Sequence, residues 1–173
     1  MKDVEFRLLA ALMNDSRKSD RELAKAIGVS QPTVTRTRLK LEKEGYIREY
    51  TIIPEFLKLG YSICAFTFVK FKTAKDMNIM TKAFQKSQER LSEIPQAILI
   101  QRGLSSNADG VIVSFHGSYS EFTKFQGWLR QFSHISTFEL NSFIIDLTVG
   151  APARPLTFRT LAAHMLSINS KTK

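Results

Sequence analysis

From Asp3 to Ile47 apolar residues recur every three or four positions; from Tyr61 to Val149 alternating stretches are interleaved with that period, which returns alone from Leu156 to Ile168. Val4, Leu8, Leu9 and Leu12 lay one stripe on a first helix, capped at Asp3 and ending near Asn14 and Asp15. Ser19 with Glu22 three residues on forms a capping box, and Leu23, Ala24 and Ile27 follow as the inner face of a short helix that Gly28 stops. Gly28-Val29-Ser30 is then a corner where two helices meet steeply, because glycine enters the left-handed backbone region that side chains resist. Ser30 caps the third helix, Pro32 stands in a first turn whose amides lack partners anyway, and Gly45 ends it. On a helical wheel Val34, Thr37 and Leu41 share the inner side of this helix while Arg36, Lys40 and Lys43 point away, with Thr33 and Thr35 near its start.

Alternation over Tyr46-Ile47-Arg48-Glu49-Tyr50-Thr51-Ile52-Ile53 predicts a strand closed by Pro54, and residues 54–60 read as a linker. Tyr61 to Lys72 is the next predicted strand, with Ile63, Ala65, Thr67 and Val69 on one face and Cys64, Phe66, Phe68 and Lys70 on the other. Asp76 to Ile94 predicts an amphipathic helix ended by Pro95, followed by strands at Gln96–Arg102 and Val111–Gly117 joined across Gly103 to Gly110. Ser118 and Glu121 cap a helix that aligns Phe122, Phe125, Leu129 and Phe132, and Thr137 to Val149 is a long last strand. Strand-helix-strand-strand-helix-strand predicts a four-stranded antiparallel sheet with two helices on one face, a ferredoxin-like sandwich that serves many functions. Ala151 to Pro155 is a stiff connector to one more helix, aligned by Leu156, Leu161, Met165 and Ile168, to be packed on the sheet or on a neighbouring subunit. The expected layout is α+β: a helix-turn-helix with its strand over 1–53, a linker over 54–60, the sandwich over 61–150 and the extension over 151–173.

A net charge of +9 in 173 residues favours a polyanionic partner, nucleic acid before membrane. The excess is spread, with 12 Lys+Arg against 9 Asp+Glu over residues 1–60 and 13 against 7 over residues 61–173, so charge alone does not mark a basic head. Cys64, the one cysteine, leaves neither an intrachain disulfide nor a cysteine metal cage. Asp3 and Glu5 interrupt any signal peptide, and the apolar run Tyr61 to Val69 is too short to cross a bilayer, so a soluble cytoplasmic protein without a membrane partner is expected.

Ser30 to Ile47 therefore reads as the second helix of a DNA-binding helix-turn-helix, although Glu42 and Glu44 dilute its charge and a plain solvated helix is the competing reading. Gln31, Thr33, Thr35 and Arg36, early in the helix, are candidates for contact with base edges of double-stranded DNA, and Ser30 at its cap is a further DNA-binding candidate. Arg38, Lys40 and Lys43, with Arg17 and Lys18 before the second helix, are candidates for phosphate. His116, His134 and His164 are widely spaced, with no metal-binding motif and no glycine-rich phosphate cradle beside them, so no catalytic residue, metal or cofactor is predicted.

Ser19-Asp-Arg-Glu-Leu-Ala-Lys-Ala-Ile-Gly28, Val29-Ser30 with Val34 and Arg36, Leu41-Glu-Lys-Glu-Gly-Tyr-Ile47 and Lys58-Leu-Gly-Tyr61 resemble the Lrp/AsnC, or feast/famine, transcription regulators of bacteria and archaea. The resemblance covers the first 60 residues, and Arg38 departs from it, standing where that family usually has an apolar residue. It implies a winged helix-turn-helix followed by a ferredoxin-like oligomerisation and effector domain, binding partly palindromic promoter DNA as a homodimer, or as a tetramer or octamer of the same chain. It also implies a small amino-acid effector near the loop joining the middle strands, here Gly103 to Gly110 and longer than usual. The amides around Gly103, Ser105 and Asn107 would meet its carboxylate and Asp109 its ammonium group. The segment after Val149 lies outside the usual family pattern. Two other readings stay open: an enzyme resembling siroheme decarboxylases on the same scaffold, and an architectural DNA-binding protein without an effector.

Overall fold

The computed structural model describes residues 1–71, 94–103, 105, 107–131, 138–150 and 152–171. In chain order it contains α1 (Asp3–Asn14), α2 (Asp20–Ile27), α3 (Gln31–Lys43), a 3-10 turn (Phe56–Leu59), β1 (Ile63–Phe71), β2 (Ala97–Arg102), β3 (Gly110–His116), α4 (Tyr119–Arg130), β4 (Phe138–Asp146) and α5 (Arg159–Lys171). These form two compact units: Met1–Ile53 with Pro152–Lys173, and Pro54–Ala151.

The helical unit closes over Leu8, Leu12, Leu23, Ala24, Ile27, Val34 and Leu41, the inner stripes of α1, α2 and α3. Its helix ends follow local chemistry. The Ser19 hydroxyl accepts the Glu22 amide while the Glu22 carboxylate accepts the Ser19 amide, which satisfies two donors that the first turn of α2 leaves open. Gly28 ends that helix at φ 70°, and Gly45 follows α3 at φ 74°. There the Gly45 amide donates to the Glu42 carbonyl (3.0 Å) and the Tyr46 amide to the Leu41 carbonyl (2.9 Å), the paired bonds of a Schellman stop.

Three expectations are corrected in this unit. Asp3 is the first residue of α1 rather than its cap: the cap position is Lys2, whose amide donates to Glu5, and Asp3 pairs with Arg7 at 3.0 Å. The strand expected over Tyr46–Ile53 does not form. Alternation suits an extended chain, but a ladder needs a second strand, and the described residues of this unit contain none; Tyr46, Tyr50, Ile52 and Ile53 stay exposed. Within the chain, the last helix does not pack on the sheet. Instead α5 runs antiparallel along α1, with Ala162 fully buried, Arg159 Nε donating to the Asn14 carbonyl (3.2 Å) and Asn169 Nδ2 to Asp3 Oδ1 (3.2 Å).

The sheet unit has strand order β2-β3-β1-β4 with every neighbouring pair antiparallel, the ferredoxin-like arrangement. The helix expected over 76–94 lies outside the described residues save for Ile94, as does Phe132. Ile63, Ala65 and Val69 of β1 bury against Ile94, Ile112, Phe122, Phe125 and Leu129, so α4 covers this face. Thr67 is a buried polar exception, and it shares a hydrogen bond with Ser142 (3.0 Å), which also accepts from Gln126 (2.9 Å). The opposite face gathers Cys64, Val113 and Phe115, and Phe56 stacks on Phe115 at 4.0 Å between ring centres. Residues 54–60, expected as a linker, thus belong to the sheet unit through the 3-10 turn.

Candidate nucleic-acid interface

Recognition by α3 begins with its burial. Val34, Thr37 and Leu41 hold one side against the helical core, which fixes the opposite side outward. Gln31, Arg36 and Lys43 are exposed there, and neither Arg36 nor Lys43 has an ion-pair partner among the described residues. Arg17 and Lys18 are exposed in the turn before α2, where the Arg17 amide donates to Asp15 Oδ1 at 3.0 Å. Ser30 serves as the cap of α3, sharing a hydrogen bond with the Thr33 hydroxyl at 2.8 Å.

Three other candidates are engaged inside the unit. The Thr35 hydroxyl donates to Asp20 Oδ2 at 2.6 Å, and Arg38 forms an ion pair with Oδ1 of the same carboxylate. The Arg38 guanidinium also lies 5.9 Å from the centre of the Tyr50 ring, and its Nε is buried with no partner among the described residues. Lys40 reaches back to Glu5 on α1 at 2.6 Å, with Glu44 at 3.7 Å. The hydrogen bond from Lys40 holds the Glu5 carboxyl below the usual carboxylate range, the Lys2 amide adding to it, and the same bond to Glu5 raises the Lys40 ammonium. Arg38 and Lys40 were expected on phosphate and Thr35 on a base edge. In the free chain they also brace α3 against α2 and α1, because long cationic stems curl toward acids that other helices bring near.

What remains outward can read DNA in chemically distinct ways. Arg36 has the planar fork that matches a guanine edge, Gln31 the amide that matches adenine, and Lys43 a point charge for phosphate. Leu39 is 60% exposed between them, a residue the charge pattern passes over. Its signal was an apolar residue on the cationic side of the wheel, and it suits a thymine methyl group.

The loop expected to cradle a carboxylate is closed on itself. The Gly103 amide donates to the Asp109 carbonyl, the Ser105 amide to the Ala108 carbonyl and the Asn107 amide to Ser105 Oγ, while Asp109 meets Lys70 at 3.1 Å. A turn satisfies its own polar groups first. Beside it opens a cleft of about 470 Å³ lined by Asn107, Arg130, Glu139, Leu140 and Asn141.

His116 is a core residue, sharing a 2.9 Å hydrogen bond with Ser114 and lying 5.4 and 5.0 Å from the rings of Phe122 and Phe125. Burial pushes its imidazole below the ordinary histidine range, Glu121 opposing weakly. His164 is exposed on α5, and His134 lies outside the described residues.

The family description "winged helix-turn-helix DNA-binding" matches residues 1–48. An uncharacterized HTH-type transcriptional regulator of Pyrococcus abyssi is 31% identical over 121 residues, 65% of this chain and 80% of that protein. The leucine-responsive regulatory protein of Rhizobium meliloti is 37% identical over 81 residues, 47% of this chain and 51% of that one. Among solved structures, an AsnC family transcriptional regulator from Agrobacterium tumefaciens superposes with a TM-score of 0.69 at 18% identity, over 93% of this chain and 99% of that one. The L-Met complex of a Neisseria meningitidis transcriptional regulator gives 0.71 at 18% identity over the same shares. At such identities the structural likeness is one of fold.

Proposed function

This chain belongs to the Lrp/AsnC family of transcriptional regulators, and we propose that it binds partly palindromic promoter DNA as a homodimer in the cytoplasm. Two copies of α3 enter successive major grooves, about one helical turn of DNA apart. Gln31, Arg36 and Leu39 read base edges; Lys43, Arg17 and Lys18 hold phosphates; Thr35, Arg38 and Lys40 keep the helix in its seat. The observation that carries this reading is that Arg36 and Lys43, without an ion-pair partner among the described residues, are exposed on a helix whose other side is fixed by Val34, Thr37 and Leu41. Fluorescence anisotropy of the full chain against its own upstream region and against random duplex, at several salt concentrations, tests it. Tight, salt-sensitive binding that prefers the upstream fragment is expected; absence of binding at low salt overturns the reading.

The homodimer is supported by the sheet face away from α4, where Phe143 is 63% exposed near Phe68 and Ile145, and Leu99 is exposed on the same face at the opposite edge strand. An apolar face of that kind is covered by a second copy in a symmetric pair. Sedimentation should show dimers, or tetramers or octamers built from them, and Phe143→Asp should shift the distribution toward monomer.

A small amino-acid effector is the second reading, favoured by the L-Met complex of a neighbour with this fold. Arg130 and Glu139 both line the cleft beside the closed loop, opposite charges suited to a zwitterion. Calorimetry against the twenty amino acids should find at least one that binds and shifts DNA affinity; no heat from any of them overturns it.

A further inference from the structure

The charge of this chain changes meaning once α5 is placed. Counted along the sequence, the basic excess is larger after residue 60 than before it. Counted by folded unit, it is not. Residues 1–53 hold eleven basic and eight acidic residues, and residues 152–173 add Arg154, Arg159, Lys171 and Lys173 with no acid at all. Residues 54–151 hold ten basic and eight acidic residues. The helical unit therefore carries +7 and the sheet unit +2 of the net +9, and more than half of the helical unit's excess comes from the segment that ends the chain.

That segment begins its helix at a specific place. Arg159 donates to the Asn14 carbonyl at the last residue of α1, and its side chain is exposed. The turn that follows Asn14 presents Arg17 and Lys18, and then starts α2 with Ser19 and Asp20. Asp20 in turn holds Thr35 and Arg38 of α3. Arg159 is thus anchored at the end of α1 three residues before Arg17 in the chain, and the α2 start that follows those two cations is tied to α3 through Asp20. One guanidinium nitrogen caps α1 and Arg159 is otherwise exposed, as is Arg154, five residues earlier in the chain on the connector.

We infer that the C-terminal segment is a second DNA-contacting element, in which Arg159 at the start of α5 and Arg154 on the connector before it extend the phosphate-binding edge of Arg17 and Lys18 beyond α3. The inference rests on the DNA-binding reading above and deepens it. Cations added at the edge of a recognition helix neutralise further phosphates, release further counterions and carry no sequence information. The extra element therefore lengthens the footprint on the backbone and leaves the choice of site to α3.

The test uses full-length protein and the same anisotropy titration. The double variant Arg154→Gln/Arg159→Gln should flatten the slope of log affinity against log salt by about two, at roughly 0.9 per lost phosphate contact, with the preference for the upstream fragment over random duplex unchanged. Arg159→Lys should keep the wild-type slope. Thr160→Glu separates binding from folding: an acid in the first turn of α5 favours the helix through its dipole, so melting should hold or rise while DNA affinity falls. An unchanged slope in the double variant, or unchanged affinity in Thr160→Glu, with wild type and an Arg36→Ala control behaving as DNA binders, overturns the inference and leaves the DNA-binding reading standing. Absence of salt-dependent binding by the wild type overturns both.

Discussion

In the helical unit the exposed side chains that carry chemistry are cations, Arg36 and Lys43 on α3 with Arg17 and Lys18 before α2, whereas on the open face of the sheet unit they are Leu99, Phe68, Phe143 and Ile145. A cationic surface is stable in water by itself and associates by an energy that salt screens, while an apolar face gains by area removed from water and is nearly indifferent to moderate salt. The interiors differ as well. The helical unit ties its charges together across helices, Glu5 with Lys40 and Asp20 with Arg38; the sheet unit buries hydroxyls and an imidazole that satisfy one another, Thr67 with Ser142 and Ser114 with His116. One chain thus holds two surfaces of different chemistry, and ionic strength should act on them separately.

The largest effect that can break this comparison is Phe122→Ala. Phe122 is 1% exposed at the centre of the sheet core, so the substitution should cost about 3–5 kcal/mol. Trp128, the chain's single tryptophan, packs on Phe125, and its fluorescence in a denaturant melt reports this unit. The helical signal in far-ultraviolet circular dichroism should retain a later component; a single shared midpoint would mean that the units unfold as one.

Next in size is Arg36→Ala, expected to lose about 1–3 kcal/mol of DNA affinity and to relax sequence preference, with Lys43→Ala weakening all sequences alike and lowering the salt slope by about one. Sedimentation at raised salt should leave the dimer of either variant intact. Equal losses on specific and random duplex for both variants would remove the division between base and phosphate contacts.

Gly28→Ala should cost the helical unit about 1–2 kcal/mol. A Cβ there meets nothing within 4 Å, so the whole penalty is backbone strain at φ 70°, read as a shift of the helical component of the melt.

The smallest effect separates the units by pH. Burial holds His116 below the ordinary histidine value of about 6.5 in the folded state, so the unfolded chain takes the proton first. The sheet unit's stability from this source is complete above that value and falls as pH drops below it. The hydrogen bond from Lys40 holds Glu5 below the ordinary glutamate value of about 4.5, so the helical unit keeps that contribution down to that pH and loses it as pH falls further. Trp128 fluorescence should therefore lose stability at higher pH than the helical signal, and His116→Gln should remove the difference.

Much of the helical unit was legible because its signals are local. Ser19 with Glu22, Gly28, Ser30 and Gly45 each act within four residues, and each stands where the chain pattern put it. The strands of the sheet were legible to within a few residues for the same reason, since alternation records which face is buried. What escaped depends on partners distant in sequence. Lys40 looks free on a wheel because Glu5 is 35 residues away, and Arg38 because Asp20 is 18 away. The stretch 46–53 alternates without a strand to join. The stripe on α5 says that it packs, and the choice of α1 as its seat comes from Arg159 and Asn169 meeting groups more than 140 positions earlier.

Because Asn169 meets Asp3, the sheet unit is an insertion between two parts of one helical body, and the order of synthesis acquires a role. A nascent chain releases α1, α2 and α3 first, then the whole sheet, and only afterwards the helix that lies on α1. Until then the outer side of α1 is bare and the unit carries three positive charges in excess rather than seven. Translation halted anywhere in the sheet yields a reading helix with a weaker grip on the backbone, so the full hold on DNA is reserved for chains whose sheet has already been made.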